Sequence, residues 1–236
     1  MTTQLSAAIT SQSLPPPSHS LLTSLTTRSP QPPLPSLIAT AKARLLAADL
    51  TSSTLIDTTH LHPFPAGTDN AIAKEVRLGH NTHVQVVDIE NLSLSRWEQI
   101  EELEAVERGE KTRGRQVIRV TDEGEDADTA QRLGSGTVQA GKNATHRLVL
   151  QDCKGTRVYA VELKRIEGIG IGKTSIGCKL MLRPGTVAAR GTVLLTAENC
   201  VLLGGKIDAW HEAWMNGRMA RLKEAAGVVN GETATR

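Results

Sequence analysis

RPGTVAARGTVLLTAENCVLLGG, residues 183–205, decides the fold. It reads as short apolar strands joined by tight glycine turns: Val187–Ala189 with Gly191–Thr196, then Asn199–Leu202. The stretch ends in Gly204-Gly205, just before a segment bearing Trp210 and Trp214 at helical spacing. No nucleophile motif, metal cluster or phosphate loop accompanies it. A small β-structure built to bind rather than to react is the first expectation.

Working outward, three further strands precede it: Thr82–Ile89, His146–Gln151 and Thr156–Leu163, with Cys178–Leu182 as a fourth. Asp152-Cys153-Lys154-Gly155 reads as a hairpin turn, with Gly155 supplying a positive φ. About five short strands, a long interruption after the first and a closing helix near Lys206–Lys223 match the five-stranded OB barrel. An open meander packed on helices is the alternative. The interruption, about 91–144, begins with a capping box, Ser95 with Glu98. Trp97, Ile100, Leu103 and Val106 form an apolar stripe on that helix, and Gly109 ends it. Residues 121–144 are rich in Asp, Glu, Gly and Ser and read as disordered.

At the other end, residues 1–17 are rich in Ser, Thr and Gln and read as a disordered tail. Ser18 can cap a short helix carrying Leu21, Leu22 and Leu25. Residues 29–35 (SPQPPLP) read as non-helical, and Ser36 as the cap of a helix through Leu37, Ala41 and Leu45. A third short helix is expected near Thr51–Ile56. The fold class is therefore α+β: a helical bundle over 18–80, an OB barrel over 81–223 and a flexible tail over 224–236.

Composition sets limits. The chain has 236 residues, only 2% aromatic, so the core must be built from Leu, Val, Ile and Ala. A formal net charge of +2 gives no global field for nucleic acid or membrane. Three scattered cysteines without a CxxC suit a reducing compartment. No apolar run approaches the ~18 residues of a membrane span.

Several motifs dissolve on inspection. Glu167–Thr174 approaches G-x-x-x-x-G-K-[ST], but Glu167 stands where the first glycine must curl around phosphate. It reads as an inter-strand loop; a nucleotide-using enzyme would need it to bind ATP. His60, His62, His80 and His83 lack further ligands and read as loop histidines. The acids of 98–107 read as a solvated face. Basic residues on or near the strands are Arg147, Lys154, Arg157, Lys164, Arg165 and Lys179, with Tyr159 as the one strand aromatic. That set suits weak, salt-sensitive phosphate contact better than a stacking reader. Lys111–Val120 mixes basic and apolar residues; it either enters another protein's groove or packs its VIRV on the barrel.

The ordered set PPLPSLIATAKARLLAADL, VQVVDIENLSLSRWEQIEELEAVERGE, HRLVLQDCKGTRVYAVEL and IGCKLMLRPGTVAARGTVLLTAENCVLLGGKIDAW resembles the fungal type of the RecQ-mediated genome instability protein 1 family. The resemblance covers roughly residues 18–223. It implies a helical bundle plus one OB barrel, with no enzymatic activity and no cofactor. It implies a nuclear scaffold of a RecQ helicase–topoisomerase III complex that dissolves double Holliday junctions and decatenates DNA. DNA is then met weakly or through the complex. By the same resemblance the insertion enters the topoisomerase gate, which makes Arg113, Arg115, Val117, Ile118 and Arg119 contact candidates. Lys179, entering a late strand, is the matching candidate for partner docking, although Ile176-Gly177-Cys178-Lys179 replaces the family's PGTK. The second OB barrel of animal members is not expected. A free-standing single-strand DNA binder is the competing reading.

Overall fold

The computed structural model describes residues 2–27, 29–30, 32–109 and 144–227. The N-terminal part holds α1 (Thr2–Thr10), α2 (His19–Thr26) and α3 (Leu34–Ala47). Ser18 caps α2 as expected, its side chain accepting from the Leu21 amide. Three expectations fail here. Residues 2–10 are helical rather than a disordered tail, because Leu5 and Ile9, one turn apart, bury against α2 and α3. α3 begins at Leu34, not after Ser36; Pro35 sits in its first turn, where a missing amide costs no helical bond. Thr51–Ile56 forms turns instead of a helix. Asp49 takes the Thr51 amide and hydroxyl, and Ile56 is drawn into a bridge with Pro17. A single 3-10 turn follows at Thr58–His60.

The rest is organised by one mixed sheet of eight strands, where about five were expected. They are β1 (Val76–Arg77), β2 (Thr82–Asn91), β3 (His146–Gln151), β4 (Arg157–Glu162), β5 (Lys179–Leu182), β6 (Val187–Ala189), β7 (Thr192–Leu195) and β8 (Cys200–Gly204). Their order is β1-β6-β7-β4-β3-β2-β5-β8. The extra strands arise because Arg190-Gly191 turns the chain back between β6 and β7, and because β1, expected within the helical segment, pairs with β6. Curling is built into β2. Its first half pairs with β5, its second half with β3, and a bulge lies between Val86 and Asp88. β4 and β7 run parallel; the other neighbours are antiparallel. The alternating side chains of β2–β5 place Val84, Val86, Leu148, Leu150, Val158, Ala160, Leu180 and Leu182 in one core.

After β2 comes α4 (Arg96–Glu107), with the expected capping box. Its buried side is Gln99, Ile100 and Ala105; Trp97, expected on the apolar stripe, is 55% exposed. The single closing helix expected over 206–223 is two, α5 (Asp208–Asn216) and α6 (Arg218–Ala225). Arg221 folds back to donate to the Trp214 carbonyl, 2.7 Å, occupying an acceptor the continuous helix would use. Of the flexible tail expected over 224–236, Glu224 and Ala225 belong to α6, and residues 228–236 lie outside the described residues.

Candidate functional site

Two surfaces and one buried seam carry the chemistry. The first surface is the root of the insertion. β2 ends at Asn91, which pairs with His146 at the start of β3, so the chain leaves and returns at neighbouring positions. Both stems are tied. The Leu92 amide donates to Thr145 O (2.9 Å), and the Thr145 amide to Ser93 Oγ (2.9 Å). Gln99 Nε2 donates to the Asn91 and Leu94 carbonyls, 3.1 Å each. α4 then packs on α6: Lys223 Nζ lies 2.8 Å from Glu104 Oε1, and Arg96 Nη1 donates to Ala225 O at 3.1 Å.

Beneath the root, Glu162 is buried, and its carboxylate accepts from the His146 amide, His146 Nδ1, the Ile166 amide and Arg165 Nη1 at 2.8–3.0 Å. Burial pushes its pKa up, but those bonds and the Arg165 charge outweigh it and hold the group below its ordinary value. His146 Nε2 is buried without a hydrogen-bond partner among the described residues. Trp97 and Leu92 stand exposed beside this rigid root.

The second surface is the outer face of β2–β4. Register puts Asp88, Val149 and Tyr159 in one row and Glu90, Arg147 and Val161 in the next, with Arg157 at the end of β4. α5 walls one side, leaving an open groove of about 690 Å³ that reaches from Tyr159 and Arg157 to Trp210 and Arg221. The Arg147 guanidinium lies 4.9 Å from the Tyr159 ring centre and pairs with Glu90. Asp88 accepts from Trp214 Nε1 at 2.6 Å. Tyr159, Arg147 and Arg157 were visible on the strands; their meeting with Trp210 and Arg221 was not, because helix-to-sheet docking leaves no periodic signal. Trp214 is buried in the core of the sheet, and Trp210 packs at its margin.

Lys179 is corrected. It is completely buried, donating to Gly177 O (2.6 Å) and Leu46 O (3.5 Å), so it offers nothing to a partner. It faces inward because β5 pairs it with Gln85, against the end of α3. Arg113, Arg115, Val117, Ile118 and Arg119 lie outside the described residues. Of the remaining basic candidates, Arg165 is held by Glu162, and Lys154 sits at the β3–β4 turn.

The Glu167–Thr174 loop is braced on itself. Thr174 Oγ1 donates to Gly168 O and accepts from the Gly170 amide, 3.0 Å each, and Ile169 is buried, so those groups do not form an open phosphate cradle. His62 stacks on His80, His60 pairs with Asp57, and His83 bonds Ser13 O. Among the described residues no group of three or more His, Cys, Asp or Glu is placed to hold a metal, and no helix is long and apolar enough to cross a membrane.

Comparison with known proteins fits this architecture. Residues 9–53 match the model of the RMI1 N-terminal helical domain, and residues 64–218 that of the RMI1 N-terminal OB-fold domain. RecQ-mediated genome instability protein 1 of Schizosaccharomyces pombe is 30% identical over 151 residues, 61% of this chain and 63% of the relative. The helical layer, the OB-fold sheet and the order of both along the chain place this protein in the RMI1 family.

Proposed function

We propose that this chain is a non-catalytic nuclear scaffold subunit of a RecQ helicase–topoisomerase III complex, acting in decatenation and double Holliday junction dissolution during DNA repair. Family membership supports the assembly, and one geometric observation supports the mechanism: both stems of the insertion are locked to the sheet and to α6, with Trp97 and Leu92 exposed beside them. A long excursion from a fixed base can favour one state of a partner's gate through contacts made in that state alone. Arg113, Arg115, Val117, Ile118 and Arg119 are the residues we assign to that contact, and DNA reaches the chain weakly or through the complex. The test is capture of topoisomerase III by the purified chain, followed by a strand-passage assay with residues 111–120 deleted. Retained capture with slowed decatenation is expected. Unchanged decatenation removes the insertion from the mechanism, and failed capture removes the scaffold reading.

A further inference from the structure

We infer that α6 is an ionic strap: it holds the C-terminal half of α4 through exposed charges, and its opening frees that half while the sheet stays folded. The consequence for the insertion rests on the proposed function, because α4 leads into residues 111–120, the stretch assigned to the topoisomerase contact. The two halves of α4 are held differently. The N-terminal half is seated at the root by the capping box and by buried Gln99, which donates to the Asn91 and Leu94 carbonyls, and Ile100 is buried beside it. The C-terminal half has α6. Lys223 Nζ meets Glu104 Oε1 at 2.8 Å, with side chains 33% and 35% exposed. Arg96, at the start of α4, donates to Ala225 O at the end of α6.

Little apolar surface supports this contact. Among the described residues, Ala105 is the buried side chain in the C-terminal half of α4, and Leu222 the one in α6. The charges are matched instead. α4 carries Glu98, Glu101, Glu102, Glu104 and Glu107, and α6 carries Arg218, Arg221 and Lys223. The hydrogen bond and charge of Lys223 hold the Glu104 carboxyl below its ordinary pKa. Burial lowers the Arg218 pKa, and the nearby Glu102 acts against it. Exposed pairs of this kind are screened by salt. The strap has a fixed end. α5 is anchored to the sheet, where Trp214 Nε1 donates to Asp88 and the Ile176 amide donates to His211 Nδ1 at 3.2 Å. α6 departs from α5 at Gly217, and its first turn rests on the Trp214 ring through Arg218 and Arg221, 5.7 and 5.6 Å from the ring centre. With eight residues, α6 is too short to persist as a helix without a partner surface. Loss of the Glu104 contact therefore frays its last turn and leaves the end of α4 unsupported.

The experiment is hydrogen exchange of the full chain, read by mass spectrometry at about 50 mM and about 500 mM salt. Peptides from 101–108 and 218–226 are expected to exchange about two- to fivefold faster at high salt, while β2–β5 keep their protection. Lys223→Glu is expected to show the fast exchange already at low salt. The swap Glu104→Lys with Lys223→Glu is expected to restore protection, which loss of packing alone would not allow. Protection of β2–β5 in each variant establishes that it folds. Salt-independent exchange of α4 and α6, loosening of the sheet together with them, or a swap that exchanges as fast as Lys223→Glu each overturns the strap. Strand passage then tests the consequence. Lys223→Glu is expected to capture topoisomerase III as the parent does but to decatenate severalfold more slowly, with the swap recovering the rate. Parent-like decatenation by Lys223→Glu overturns control of the insertion by α6. The exchange measurement uses no partner, so failed capture by the parent is read as failure of the scaffold reading and not of the strap.

Discussion

Among the described residues, Lys179 heads the fully buried side chains by volume, and it is a cation. Burial pushes its pKa down to about 8 from 10.5, while the neighbouring Cys178 and Asp49 pull the other way. Its ammonium reaches Leu46 O at the end of α3, where a positive charge suits the helix dipole. The sign of the pH effect follows. Between pH 8 and 10.5 the unfolded chain binds the proton more tightly than the folded one, so Lys179 makes stability rise with pH across that window. Below it, the buried charge costs about 3 kcal/mol. Cys153, Cys178 and Cys200 act oppositely at higher pH, since burial raises their thiols, Cys200 to about 12. Comparing the parent with Lys179→Met largely cancels the cysteine effect. Urea unfolding is expected to favour the parent by about 2 kcal/mol more at pH ~9.5 than at pH ~7. A difference that does not change with pH would refute a depressed Lys179. The sequence showed a lysine entering a strand, but CKLML is apolar around it, so alternation did not tell which face it took.

Elements meet where the chain has no side chain to spare. Gly205, just after β8, has φ +94°, and a Cβ there would stand 2.4 Å from Leu46 O, the same carbonyl Lys179 approaches. Gly205→Ala must adopt a left-handed backbone and push α3 from the sheet, for an expected loss of about 2–4 kcal/mol. Gly185→Ala has a similar φ, +85°, with nothing within 4 Å, and is expected to lose only about 1–2 kcal/mol. Urea unfolding of both variants checks this; equal losses would mean that α3 yields freely. Legibility at this scale followed the strength of local signals. β3 matched the expected His146–Gln151 because Leu148–Leu150 is a short apolar run and Asp152 forms the turn that ends it, taking the Lys154 and Thr156 amides. The Ser95–Glu98 box fixed the start of α4. α1 was lost because Leu5 and Ile9 are sparse among Ser and Thr, and only packing on α3 makes them helical. The groove's strand residues were legible, but its α5 and α6 residues depended on where Arg221 broke the closing helix.

At the scale of the whole molecule, two apolar clusters exist, one under α1–α3 and one inside the sheet. A polar seam joins them. The buried Gln85 accepts from the Leu50 amide (2.9 Å) and donates to Asp49 (2.7 Å) and Gln151 (3.0 Å). His83 reaches Ser13 O, Asp152 takes the Phe64 amide, and Cys153 of the β3–β4 turn is buried in the helical cluster. Such a seam couples the halves because each of its groups is satisfied only while both are folded. The parent is therefore expected to unfold in one transition. All three tryptophans lie on α4 and α5, so their fluorescence follows the sheet and its flanking helices, while far-UV circular dichroism also reports α1–α3. Gln85→Ala strands the buried Leu50 amide, a cost of about 1–3 kcal/mol that falls on the seam alone. In that variant the dichroism is expected to begin falling before the fluorescence, as α1–α3 release first. If both signals shift together to a lower midpoint, the seam adds stability without coupling, and the two clusters are tied instead through Gly205, Cys153 and the apolar contacts around them.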